Sequence, residues 1–397
     1  MKLFAEVPRH DKAPAAHREG EYAFWNRHAS EAAQRIREVL DSWFEALPEE
    51  SQRELLHKLR SDDDGEFQAS LWELYLHEVF RRRGFRVEIH PEVPDSTRRP
   101  DFRIRSEDEA AYIEATASTG PLEEKRADRV RADLYDGLEG LERGDFSLVI
   151  DPDFEEGPNA PSARRIREAL ESWLASLDWA ALRPAYEEEG FATVPTLDIQ
   201  DNGWNITFHA IPKPAERRGR GRTLAVLAGR VTVSDPIQSI RRQLKGKAGR
   251  YGDLPAPFAI AFLDRNNDVL DGDDVVSALY GRTVQQFGRG PNGMPVPGDI
   301  YRARDGFWKG PPDPRNTRVS AIITAPNLRP HNLADVDPVV WHNPWAALPL
   351  DAPLPWAAVR FDPATGETTM TPATNSAHEV FELPPGWPGT EDMFKED

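Results

Sequence analysis

Apolar positions in the first sixty residues recur at helical spacing. Between His28 and Leu47, Ala32, Ile36, Leu40, Trp43 and Phe44 fall on one stripe, which predicts an amphipathic helix. Pro48 opens a second helix reaching Arg60, since proline is tolerated at a helix start. The acidic run Ser61 to Glu66 lacks the ligand spacing of a calcium loop and reads as a charged linker and cap. From Ala69 a further amphipathic helix runs to a stop at Gly84, with Arg81, Arg82 and Arg83 suiting its negative C-terminal end.

After Gly84 the period shortens to two. Phe85 to His90 alternates as a strand, and Asp101–Ile104 and Ala111–Thr116 predict two more, joined by a polar turn. A long segment then predicts a helix over 121–142, a strand at Phe146–Ile150, a helix over Ser162–Leu177 and a strand pair at Thr193–Ile199 and Trp204–Ala210. Pro236 starts a helix expected to continue through Tyr251, and Phe258–Leu263 has the unbroken apolar character of a strand covered on both faces. Residues 291–397 hold 18 of the 35 prolines, which predicts a loop-rich extension because proline breaks helices and central strands. Five tryptophans there (308, 341, 345, 356 and 387) argue against disorder. The expected organisation is a helical N-terminal region (1–66), a core in two parts (67–120 and 235–265), an insertion (121–234) and a proline-rich extension (266–397), without internal repeats.

Composition narrows the classes. The absence of cysteine excludes disulfides, thiol catalysis and cysteine-based zinc sites. No apolar run approaches the roughly 20 residues of a membrane helix, and the N-terminus lacks a secretory apolar stretch. A cytoplasmic protein with no membrane partner is therefore expected. The net charge of −18 argues against nucleic acid until its distribution is considered. Residues 213–250 carry eleven Lys or Arg against Glu216 and Asp235, so that segment is +9 and the remainder −27. It reads either as a local positive surface or as a solvated face.

The candidate chemistry is carboxylate chemistry. Asp101 begins one strand and Glu114 lies inside the next, so a hairpin brings them side by side. A carboxylate within Ala-Tyr-Ile-Glu-Ala-Thr-Ala is costly to bury without a partner, and magnesium takes one or two carboxylates plus water and substrate. Arg99-Pro100-Asp101-Phe102 followed by Ile113-Glu114-Ala115-Thr116 resembles the PD-(D/E)xK nuclease superfamily, as does Glu73 on a helix before the Gly84-Phe85 turn. That resemblance covers residues 69–117 and 236–263. It implies an α/β fold with a restriction endonuclease-like αβββαβ core and mixed central sheet.

The resemblance further implies a Mg²⁺- or Mn²⁺-dependent deoxyribonuclease, an endonuclease in a setting such as bacterial defence, with room for a homodimer or a defence-system partner protein. Asp101 and Glu114 would bind the metal with the Ala115 carbonyl, and Glu73 would hold a metal water or a second ion. Glu78, nearer the middle of the helix's apolar arc, competes with Glu73 for that role. The family's lysine is absent, Thr116 standing in its place. Lys247, with Lys245 in reserve, is the replacement expected from the helix that follows. Gln243, Lys247, Arg250 and Tyr251 share a face of that helix at helical spacing, and with Arg241, Arg242 and Lys245 they are the expected nucleic-acid contacts. The competing reading is a catalytically inactive module of the same fold that binds nucleic acid or acts as a scaffold.

The remaining motifs are weaker. Trp341-His342-Asn343-Pro344 reads as a turn with a packed tryptophan. Phe307-Trp308-Lys309, with Arg315 and Arg318, fits base stacking or core packing. The chain has no phosphate-cradling GxxxxGK[ST], no GxSxG and no histidine pair at zinc spacing, which disfavours an ATPase, a serine hydrolase or a zinc hydrolase.

Overall fold

The computed structural model describes the chain except residues 95, 119–121, 139–140, 142–143, 152–153, 220–223, 227–235, 266–271, 290–294 and 390–397. The chain opens with helices α1 (Glu21–Arg27), α2 (Glu31–Glu45), α3 (Glu49–Leu59) and α4 (Asp64–Arg82), followed by strands β1 (Arg86–Ile89), β2 (Phe102–Arg105) and β3 (Ala110–Ala117). Next come α5 (Leu122–Leu138), β4 (Phe146–Ile150), α6 (Ala163–Ser176), α7 (Trp179–Glu189), β5 (Thr196–Asp201), β6 (Trp204–Pro212) and β7 (Leu224–Val226). The chain continues with α8 (Pro236–Ala248), β8 (Phe258–Leu263), α9 (Gly272–Tyr280), β9 (Thr283–Arg289) and β10 (Pro295–Arg302). It ends in β11 (Ala321–Ala325), β12 (Val339–His342), β13 (Ala357–Phe361), β14 (Thr368–Thr371) and α10 (Ala377–Phe381). These elements pack as two units, one of residues 1–13, 20–119 and 234–393, the other including residues 14–19 and 120–233.

The larger unit is built on an eight-stranded mixed sheet ordered β1-β2-β3-β8-β11-β12-β13-β14. β1, β2 and β3 form an antiparallel meander, after which β8 lies parallel to both β3 and β11. Every residue of β8 and of β11 is buried, as expected of strands covered on two faces. One face packs on α4, where Leu71, Trp72 and Phe80 meet Ile113, Ala115 and Ala261. The Trp72 indole N–H donates to the Ala261 carbonyl at 3.0 Å and ties helix to sheet. On the other face Ile240 and Leu244 of α8 meet Tyr112, Ile260 and Phe262. Helix, three-strand meander, helix and parallel strand thus occur in the expected order.

Local sequence explains the element ends. Asp63 caps α4 by accepting from the N–H groups of Gly65 and Glu66, satisfying donors that a helix start leaves free. Gly84 terminates that region at φ 78°, a left-handed conformation costly for residues with a Cβ. The stripe on α2 is buried as its spacing requires, behind a Ser30 cap.

The C-terminal region departs from expectation. Instead of consisting of loops wrapped on the body, it supplies β11 to β14, half of the main sheet. Its prolines were the misleading signal: none lies within those four strands, while Pro326, Pro338 and Pro372 stand just outside their ends. Trp341 lies in β12 instead of in a turn, and Trp308 is packed in the core at 1% exposure.

The second unit has a four-stranded sheet, β5-β6-β4-β7, with its own core around Leu148, Ile166, Leu170 and Phe208. Asn202 and Gly203 turn β5 into β6, both at positive φ (51° and 85°), as a two-residue hairpin demands. Of the basic segment, Arg220, Arg222, Arg230 and its lone aspartate Asp235 lie outside the described residues. The described remainder is divided between the two units, so it does not form one continuous face within either.

Candidate active site

The β2–β3 hairpin positions the carboxylates. Phe102 pairs with Ile113, so the next residues outward, Asp101 and Glu114, stand opposite each other. The backbone orientation along β3 follows from its neighbours. Tyr112 and Ser118 donate their N–H groups to Pro257 and Leu263 on the β8 side, whereas the Ala115 N–H donates to Asp101 Oδ2 at 2.7 Å on the β2 side. In a strand the N–H and carbonyl of one residue point the same way. Ala115 therefore offers its carbonyl beside the Asp101 carboxylate, just before the first residue of β2.

Glu114 sits on the α8 face of the sheet and is 1% exposed. Three donors converge on it. Lys247 Nζ lies 2.7 Å and Arg250 Nη1 2.6 Å from Oε1, and the Tyr251 hydroxyl donates to Oε2. Charge-assisted bonds of this kind offset the cost of burying a carboxylate. α8 ends at Ala248, not at Tyr251 as the periodicity suggested. Gly249 lies just beyond it, and Arg250 and Tyr251 approach Glu114 from the following turn.

Glu73 is the helical contribution. Burial raises its pKa to about 7; Lys58 opposes the shift, Glu54 and Glu114 add to it, and Lys247 opposes it. Burial also lifts Asp101 well above the usual carboxylate range, reinforced by Glu114 and Glu73 and countered by the Ala115 N–H and Lys247. These fields link Glu73, Asp101, Glu114 and Lys247 in one electrostatic cluster. Glu78 does not belong to it: the residue is 1% exposed and is bonded by Arg81 and Arg82 one turn along its own helix. The Tyr251 phenol is pushed upward, first by burial and then by its bond to Glu114, so it remains a donor.

The other expected nucleic-acid contacts separate. Arg241 does not reach outward: its guanidinium is bound by the Ser277 and Ala278 carbonyls and by Asp305, tying α8 to α9 and the chain beyond. Gln243 is half-buried and donates to Ser239 within α8. Arg242 and Lys245 are exposed, so Lys247 alone of the two candidate lysines reaches the carboxylates. Arg250 and Tyr251 serve Glu114.

Three residues escaped sequence reasoning. Lys58 and Glu54 of α3, 3.1 Å apart, line a cavity of about 20 Å³ with Glu73, His77 and His90. Their signal was an i,i+4 charge pair in a helix assigned to the N-terminal lead. Arg103, alternate to Asp101 along β2, lies on the same face as Glu114, with its guanidinium 5.3 Å from the Tyr112 ring centroid.

The donor set fits a hard divalent cation of the magnesium type. Two carboxylates and a neighbouring backbone carbonyl are oxygen ligands; burial is the main cause of the upward shifts of Asp101 and Glu73, and the smaller part that comes from neighbouring carboxylates is one a cation would relieve. Among the described residues no three Asp, Glu or His side chains by themselves form a metal-holding group, so water and substrate would complete the shell. Compared with family models, curated proteins and solved structures, the chain finds no match. Among the described residues no helix is long and apolar enough to cross a membrane.

Proposed function

We propose that this chain is a Mg²⁺- or Mn²⁺-dependent endonuclease acting on DNA, a divergent relative of the PD-(D/E)xK nucleases. The observation that carries the reading is the position of Lys247. Its ammonium stands 2.7 Å from Glu114, on the strand where Thr116 replaces the expected lysine two residues later, and it arrives from the helix between the meander and the parallel strand. In this reading Asp101, Glu114 and the Ala115 carbonyl would hold the metal. When bound, the metal would supply Lewis-acid stabilisation of the phosphate and lower the pKa of water. Lys247 would orient an attacking water and offset the charge that develops at phosphorus, while Glu73, with a pKa near neutrality, would accept and release a proton.

The decisive experiment is plasmid nicking by the purified chain with Mg²⁺, Mn²⁺ or EDTA. Nicking should require the metal, disappear in Asp101→Asn and Glu114→Gln, and fall at least about 100-fold in Lys247→Ala. Undiminished nicking by Glu114→Gln would sink the site assignment. One observation favours a second reading, an inactive binding module: Glu114 already has both oxygens bonded by protein donors. Salt-sensitive DNA binding with no nicking under any metal would select it.

A further inference from the structure

Arg103 is the unusual cation of this site. It projects from β2 on the same face as Asp101 and Glu114, and its guanidinium lies over Tyr112, two residues before Glu114 on β3. Its Nε is buried, with no hydrogen-bond acceptor among the described residues. The carboxylate best placed to accept, Glu88 directly across on β1, pairs instead with Arg105 at 3.4 Å. An unsatisfied buried donor is costly, and a planar fork of N–H groups matches the oxygens of a phosphate. A second fork lies close to the same residues. Arg250 shares Glu114 Oε1 with Lys247 and keeps 39% of its side chain exposed. It can therefore turn away while Lys247 continues to hold the carboxylate.

We infer that Arg103 and Arg250 form an oxyanion clamp that grips a phosphodiester on the Glu114 face without a metal. The ligand class, a nucleic-acid phosphate, rests on the proposed nuclease reading; the clamp itself rests on the buried Arg103 Nε that no described acceptor meets. On phosphate entry Arg250 exchanges Glu114 for a phosphate oxygen, and Arg103 gains the acceptor it lacks. Binding then precedes metal loading and depends little on it.

The test uses the full chain in EDTA, so that no cleavage intervenes. Fluorescence anisotropy of a labelled duplex oligonucleotide is measured across a salt series, and inorganic phosphate is titrated calorimetrically. Arg103→Gln should weaken oligonucleotide binding about ten-fold and lower the salt slope by about one. Arg103→Lys should restore the slope but not the full affinity, because it keeps the charge and loses the fork. Glu88→Gln, outside the clamp, should leave both unchanged. Equal affinity and slope in Arg103→Gln and wild type, with matching circular dichroism, overturn the clamp even if wild type nicks plasmid. Phosphate binding that requires Arg103 in a chain that never nicks supports the clamp and defeats the nuclease reading.

Discussion

Replacing Glu73 with glutamine removes a charge that the folded protein holds at a disadvantage. The folded pKa of about 7 stands above the ordinary 4.5, chiefly because of burial. The gap of about 2.5 units corresponds to about 3 kcal/mol at 1.36 kcal/mol per unit. Below the ordinary pKa both folded and unfolded states carry the proton, and the stability it contributes is complete. As pH rises through 7 the folded state must surrender a proton that it holds more tightly than the unfolded chain does, and that contribution is lost. Glutamine is close in shape and never ionises. The variant should therefore match wild type near about pH 5 and exceed it near about pH 8 by up to about 3 kcal/mol, less whatever water reaches the half-buried carboxylate.

Urea unfolding at the two pH values without divalent ions, followed by tryptophan fluorescence and far-UV circular dichroism, measures the difference. Glu21, also raised to about 7 by burial, gives wild type a pH dependence of its own, but that cancels between the two proteins. A stability difference that is the same at both pH values would refute the reasoning.

Two further substitutions separate structure from function. Glu78→Gln breaks a buried carboxylate's bonds to Arg81 and Arg82 and should cost about 1–3 kcal/mol in urea unfolding, with the nicking rate of the surviving fold unchanged. Arg241→Ala unties α8 from the Ser277 and Ala278 carbonyls and should cost a similar amount by the same measure. Its oligonucleotide affinity should remain that of wild type, and a ten-fold loss would return Arg241 to the nucleic-acid surface.

Short-range pattern was legible where one stripe or one alternation decided the outcome. The α2 stripe, the β2–β3 hairpin with Asp101 and Glu114, and the strand pair that became β5 and β6 all declared themselves locally. Three features did not. α7 has no buried residue and carries Pro184 inside it, so no apolar stripe announced it. β11 to β14 were hidden by proline frequency, which records how often a chain turns but not what lies between the turns. The partners of Arg241 were invisible because a helical wheel assigns a face without naming what packs against it. Lys247 could be suspected from its periodicity, but the meeting of Lys247, Arg250 and Tyr251 on one carboxylate required the tertiary fold.

The cluster also carries a folding consequence. Lys247 meets Glu114 across 133 positions of sequence, yet closure entropy grows only with the logarithm of length, about 0.6 kcal/mol for each doubling. Stretching a connection from about 15 residues to that length therefore costs only about 2 kcal/mol. Much of the intervening chain condenses around its own core, which reduces the free length further. Assembly rate is affected more than stability, since distant pairings form slowly. Refolding should thus restore the meander before the lysine reaches its carboxylate, leaving an interval in which Asp101 and Glu114 stand side by side without their cation.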